Sequence, residues 1–144
     1  MVEQDTIRLL RECDAGVKMG VTSIEDVVDR IQDKNFRQVL VESRQHHDEL
    51  DRELQLLLHR CHDGGKEPNP MALGMSWMKT HAMLLVKPGD KTIADLMTDG
   101  CNMGVKSLHK YLNQYKAADE SAKDITKKLV NLEQALAVGI RSYL

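Results

Sequence analysis

Asp14, His47, Asp99, Cys101 and Glu133 are the side chains whose chemistry would combine if the helices of this chain gathered them in one interior. A histidine, a thiolate and carboxylates make a soft transition-metal ligand set. Counting residues inward from the turns places His47, Cys101 and Glu133 at about the same height. The same residues also have a plainer reading, which the sequence favours. In it, a buried His47 bonds to Ser43 or a neighbouring carboxylate, Cys101 packs as a small hydrophobe, and Glu133 is exposed at the edge of its apolar stripe. His46-His47-Asp48-Glu49 and the group His59, Cys61 and His62 read as polar surface, because adjacent helical residues diverge by about 100° and converge poorly on one ion. Cys13 and Cys101, inward and mid-helix, lack the exposure and neighbouring cation of a reactive thiol; Cys61, at a helix end, is the most accessible of the three. No residue is assigned a catalytic role and no cofactor is expected.

The elements that must position these residues are all helical. The 144-residue chain is 42% hydrophobic and 29% charged, with three Pro and one Phe, which favours one all-α domain with a proper core. Apolar residues recur at 3–4 spacing over 4–32, 35–62, 91–116 and 120–143, and a shorter helix is expected over 70–86. The first of these is expected to run unbroken through Gly16 and Gly20, although Thr22-Ser23-Ile24-Glu25 has the pattern of a capping box. Asp33 or Asn35, Asn69 before Pro70, Asp90 and Asp119 are the expected helix starts, and Gly64 or Gly65 supplies a left-handed cap after the second helix. Met71, Met75, Met78, Ala82 and Leu85 share one face of the short helix, with Trp77 beside it. Packing of that face against the core is the favoured expectation, and an adaptable partner-binding face the alternative.

Cys13-Asp14-Ala15-Gly16-Val17-Lys18 is nearly repeated by Cys101-Asn102-Met103-Gly104-Val105-Lys106. Each copy lies in the first helix of a helical hairpin, so the chain reads as two hairpins related by a two-fold axis. On this reading the first and third long helices cross at Gly16 and Gly104, and Asp14 meets Lys106 across the seam while Asn102 lies near Lys18. Cys13 and Cys101 fall roughly 10 Å apart in height at about 1.5 Å per residue, beyond disulfide reach.

Two tight hairpins joined by a long connection with its own short helix, together with the run Thr98-Asp99-Gly100-Cys101-Asn102-Met103-Gly104, resemble the ferritin-like superfamily. More closely, the chain resembles small bacterial ferritin-like proteins whose activity is unassigned. The resemblance implies an all-α, ferritin-like four-helix bundle with the first and third long helices adjacent and antiparallel, and likewise the second and fourth. Di-iron members carry Glu-x-x-His on two helices, and no Glu-x-x-His occurs here.

The expected function is therefore a non-enzymatic binding or interaction protein, with an unknown protein partner or self-association; a metal-binding or redox protein with a substituted ligand set is the alternative. A net charge of −2, with Lys106, Lys110, Lys116, Lys123, Lys127 and Lys128 interleaved by acids, argues against a nucleic-acid partner. No apolar run reaches the roughly 18 residues of a membrane span. The start lacks the basic and apolar regions of a signal peptide, and three cysteines without CxxC spacing suit a reducing compartment, so a cytoplasmic location is expected.

Overall fold

Carboxylates and amides start the helices, as local chemistry requires. The Asp33 side chain accepts the Asn35 and Phe36 N–H groups at 2.8 and 3.0 Å, and Asp119 accepts Ala122 N–H at 2.9 Å. Asn69 accepts Met71 N–H at 2.9 Å with Pro70 at the first helical position. A computed structural model describes residues 2–144, with Trp77 described through its backbone alone. It contains helices α1 (Val2–Val27), α2 (Lys34–Arg60), α3 (Pro70–Val86), α4 (Asp90–Gln114) and α5 (Glu120–Ile140), and no strand among the described residues. Short 3₁₀ turns follow α1 at Val28–Arg30 and α5 at Arg141–Tyr143.

Three local expectations are corrected. The first helix runs through both glycines but ends at Val27, five residues early, where the chain tightens into the 3₁₀ turn. The left-handed residue that caps α2 is His62, with φ 53°, rather than Gly64 or Gly65; Gly65 takes a positive φ three residues further on. His62 is held there because its N–H donates to His59 O and Asp63 N–H to Leu58 O, each at 3.0 Å, the paired bonds of a Schellman cap. Asp90 does not cap α4; Gly89, with φ 126°, takes that position. Asp90 instead accepts the backbone N–H groups of Gln32 and Asp33 at 2.9 Å each, joining the first interhelical turn to the start of α4.

That tie fixes helix direction. The end of α1 lies beside the start of α4, and at the opposite end Thr6 and Asp5 accept the N–H groups of Asp119 and Ala117. Phe36 at the start of α2 stacks on Tyr143 just past α5, with centroids 4.6 Å apart. So α1 and α4 run antiparallel, as do α2 and α5. α1 and α5 each pack on all three other long helices, while α2 and α4 face each other across the long diagonal. Two apolar halves result. One is built around Leu9, Leu10, Leu54, Ile125 and Leu129, the other around Ile24, Phe36, Leu40, Ile93 and Ile140. At about 1.5–3 kcal/mol per fully buried large apolar side chain, these layers dominate the stability.

The seam expected from the repeat is not the one the structure contains. Gly16 faces α5, where an added Cβ would lie 3.4 Å from Leu129 Cδ2, and Gly104 also faces α5, at 3.6 Å from Glu133 Oε2; neither meets the other. Asn102 and Lys106 are exposed. Asp14, fully buried, takes its partners elsewhere: Lys18 Nζ, Gln55 Nε2 and the backbone N–H of Lys66, each at 2.9 Å. The segment after α2 thus closes over α1, and Arg11–Asp63, Lys66–Glu12 and Lys18–Glu67 ion pairs fasten it from the outside. Gly65 is required at this closure. Its φ is 84°, and a Cβ there would fall 2.2 Å from Asp14 Oδ2.

Asp14→Ala is expected to destabilise the protein by about 1–3 kcal/mol, because the part-buried Lys66 N–H, Gln55 and Lys18 lose their common acceptor. Lys106→Ala should stay within about 0.5 kcal/mol of the parent. Urea unfolding of the two single variants checks this, and an equal effect of both would restore the Asp14–Lys106 seam.

Candidate functional site

His47 lies on the buried stripe of α2 between Ser43 and Leu50, and every polar atom of its ring is used. The Ser43 carbonyl one turn back only accepts, so His47 Nδ1 carries a proton and donates to it at 2.7 Å. Nε2 then faces Glu133 Oε1 of α5 at 2.8 Å. One proton occupies that contact, on the ring as an imidazolium–carboxylate pair or on the carboxyl of a neutral pair. Burial pulls the His47 pKa down, but the Glu133 carboxylate and the Ser43 carbonyl outweigh it, and the net direction is up.

Glu133 is 9% exposed, so the expectation of a solvated Glu133 is overturned. Spacing alone puts Glu133 at the edge of its stripe, but α5 packs on three helices, and its buried sector is wider than a two-neighbour stripe. Cys101 of α4 lies against the same carboxylate; burial first, then the Glu133 charge, push its thiol pKa far up. α1 contributes Gly20, where an added Cβ would stand 2.6 Å from His47 Nε2 and 3.5 Å from Glu133 Oε1. Every long helix thus contributes to one layer between the two apolar halves. Gly20 rather than Gly16 is the glycine this layer needs. Its only sequence signal was a glycine in a helix that otherwise kept its phase.

The three residues weighed as metal ligands therefore do meet, but closed on one another by hydrogen bonds. The Nε2 lone pair that would face a cation faces Glu133 at contact distance, and the thiol retains its proton. Among the described residues, no group of three or more His, Cys, Asp or Glu side chains is arranged to hold a metal ion. Asp99 is exposed, and Asp14 belongs to the separate knot over α1. His46, Asp48, Glu49, His59 and His62 are exposed. The other interior thiol, Cys13, donates to Thr126 Oγ1 at 3.0 Å, since the threonine hydroxyl is already committed to the Ala122 carbonyl; burial pushes the Cys13 pKa up to about 12. All three cysteines are free. An open depression between α2 and α5, lined by Glu53, Leu57, Arg60, Asp124 and Lys128, mixes both charges and contains no cysteine or histidine.

The surface feature that stands apart is α3. Only Leu84 of its described side chains is buried, while Met71 is 73%, Met75 65%, Met78 65% and Leu85 85% exposed. The expectation that this stripe packs on the bundle is overturned. α3 is apolar on nearly all sides, and the sector turned inward is the one carrying Leu73, Thr80, His81 and Leu84. The side chain of Trp77, grouped with the stripe on sequence, lies outside the described residues. No helix among the described residues is long and apolar enough to cross a membrane.

No protein-family model matches this chain, and neither does any curated protein or solved structure.

Two predictions follow from the buried layer. A histidine whose folded pKa is raised above the unfolded value of about 6.5 contributes stability that is complete below that pH and lost as pH rises through the folded pKa. Unfolding free energy should therefore fall from pH 6 to 8, and His47→Leu with Glu133→Leu should flatten that fall; a slope unchanged in the double variant would contradict the pair. Gly20→Ala should cost about 1–3 kcal/mol by overpacking the ring, whereas Gly16→Ala and Gly104→Ala, with room at ordinary contact distance, should gain up to about 1 kcal/mol. Urea melts of the three variants read the contrast.

Proposed function

We propose that this chain is a ferritin-like helical bundle acting in the cytoplasm as a non-enzymatic interaction protein, which docks a protein partner through the outward face of α3. The observation that carries the reading is the exposure of Met71, Met75, Met78 and Leu85 on a helix anchored by Leu84. A contiguous apolar face of this kind marks an interaction site, and methionine suits it because the side chain is flexible and polarisable. The ferritin-like part of the reading rests on helix order. Two antiparallel hairpins are joined by a long connection, so that α1 runs parallel to α5 and α2 parallel to α4. Non-enzymatic function is supported by the interior chemistry, where His47, Glu133 and Cys101 are buried and engage one another and the Ser43 carbonyl.

A second reading, a metal-binding or redox protein with His47, Cys101 and Glu133 as a substituted ligand set, is favoured by one observation: these residues reach one layer from three helices. Metal analysis of untagged protein separates the readings, since stoichiometric iron, manganese or zinc lost on His47→Leu would carry the second.

Photo-cross-linking from a photoreactive amino acid placed at Met75 or Met78, in cells of the native host, tests the docking face. Discrete adducts at these positions, missing at the exposed α2 residue Leu56, are the expected result. The same pattern of adducts from α3 and from Leu56, or none from either, would contradict it.

A further inference from the structure

The outward face of α3 has a charge as well as a shape. No Asp or Glu occurs between Pro68 and Gly89, although the chain as a whole has a formal net charge of −2. Lys79, Lys87 and Lys91 are exposed, and none of them forms an ion pair among the described residues. Their positions matter. At about 100° per residue, Lys79 falls on one edge of the stripe that runs through Met71, Met75, Met78, Ala82 and Leu85. Lys87 lies at its C-terminal end, immediately before the break at Pro88 and Gly89, and Lys91 lies just past that break.

The stripe is straight, roughly 20 Å from Met71 to Leu85 at about 1.5 Å per residue, and the exposed Val86 extends it at its C-terminal end. A ridge of that form packs against another helix, with apolar anchors at 3–4 spacing and an interaxial distance of about 8–10 Å. Charge then selects among helices. An isologous pair of α3 helices would bring one acid-free, lysine-edged face against another and leave the lysines without counter-charges. A partner helix with apolar residues along one side and glutamates or aspartates along its edges would cover the methionines and pair the lysines.

We infer that α3 docks an amphipathic helix of acidic character, supplied by a different protein. The inference rests on the docking reading above and names the chemistry of its partner. The apolar stripe supplies the contact area, and Lys79, Lys87 and Lys91 supply selection and the rate of encounter.

The test uses the intact chain and two fluorescent helical peptides of about 20 residues. Both carry leucine at i, i+4, i+7, i+11 and i+14; one has glutamate at the flanking positions and the other lysine. Fluorescence anisotropy should show the glutamate peptide binding at least tenfold more tightly, with the preference weakened by salt. Lys79→Glu with Lys87→Glu should reverse the preference, and Met75→Glu with Met78→Glu should abolish binding of both peptides. These residues are exposed, so circular dichroism should remain that of the parent. Equal affinity for the two peptides would overturn the inference. So would binding to phosphatidylglycerol vesicles alone, or reversible self-association in sedimentation that Met75→Glu removes. Cross-links from Met75 in cells without a charge preference in the peptides would overturn the acidic partner and leave the docking face standing. Loss of both would overturn the two together.

Discussion

The bond from His47 Nδ1 to the Ser43 carbonyl is the constraint on which the interior depends. It leaves Nε2 as the only ring atom for a neighbour and aims it at Glu133. A buried carboxylate facing a buried imidazole must be met at hydrogen-bond distance, because either group alone in the core would be strongly destabilising. α2 and α5 are therefore held in register at this height. The register in turn leaves no room for a side chain on α1, which passes with Gly20, and it sets Cys101 of α4 against the carboxylate. Apolar packing could slide by a turn in either half of the core; the polar layer between the halves allows one alignment.

A second buried carboxylate does for the connection what the first does for the core. Asp14 gathers Lys18, Gln55 and the Lys66 N–H, so the chain leaving α2 is pinned to α1. Asp90 pins the other end of the connection to the turn between α1 and α2. Between these two fixed points the 17-residue α3 runs along part of the bundle with Leu84 as its buried anchor. A helix whose ends are fastened by polar knots need not bury its own apolar face, and that face remains on the outside.

Much of this was readable in the residues. The 3–4 spacing of Phe36, Leu40, Ser43, His47, Leu50 and Leu54 marks the inner face of α2, because burial on one side of a helix writes that period into the sequence. Asp33, Asn69 and Asp119 start helices by local hydrogen bonding that needs no tertiary context. What failed depended on partners distant in sequence. Asp14 looked like a seam residue because its real partners come from Gln55 on another helix and from an irregular segment with no period. Glu133 looked exposed because periodicity reports one buried face, whereas α5 is contacted from three directions. The methionine stripe of α3 looked like core because periodicity shows which residues share a face, not whether anything covers it. The repeat misled in a related way. Cys13 and Cys101 are both buried, but the segment that covers Asp14 has no counterpart over Asn102 among the described residues.

The interior is closed by its own hydrogen bonds, and the proposed function places recognition at the surface. The imidazole nitrogens of His47 report on the first half of that claim without disturbing the protein. In a nitrogen-15 correlated NMR spectrum, Nδ1 should carry a proton throughout, and Nε2 should keep the shift of a ring bonded to a carboxylate as Zn²⁺ is added to stoichiometric excess. A His47 Nε2 resonance that moves to the position of a metal-bound nitrogen on addition of one equivalent would contradict the account and make the interior the binding site.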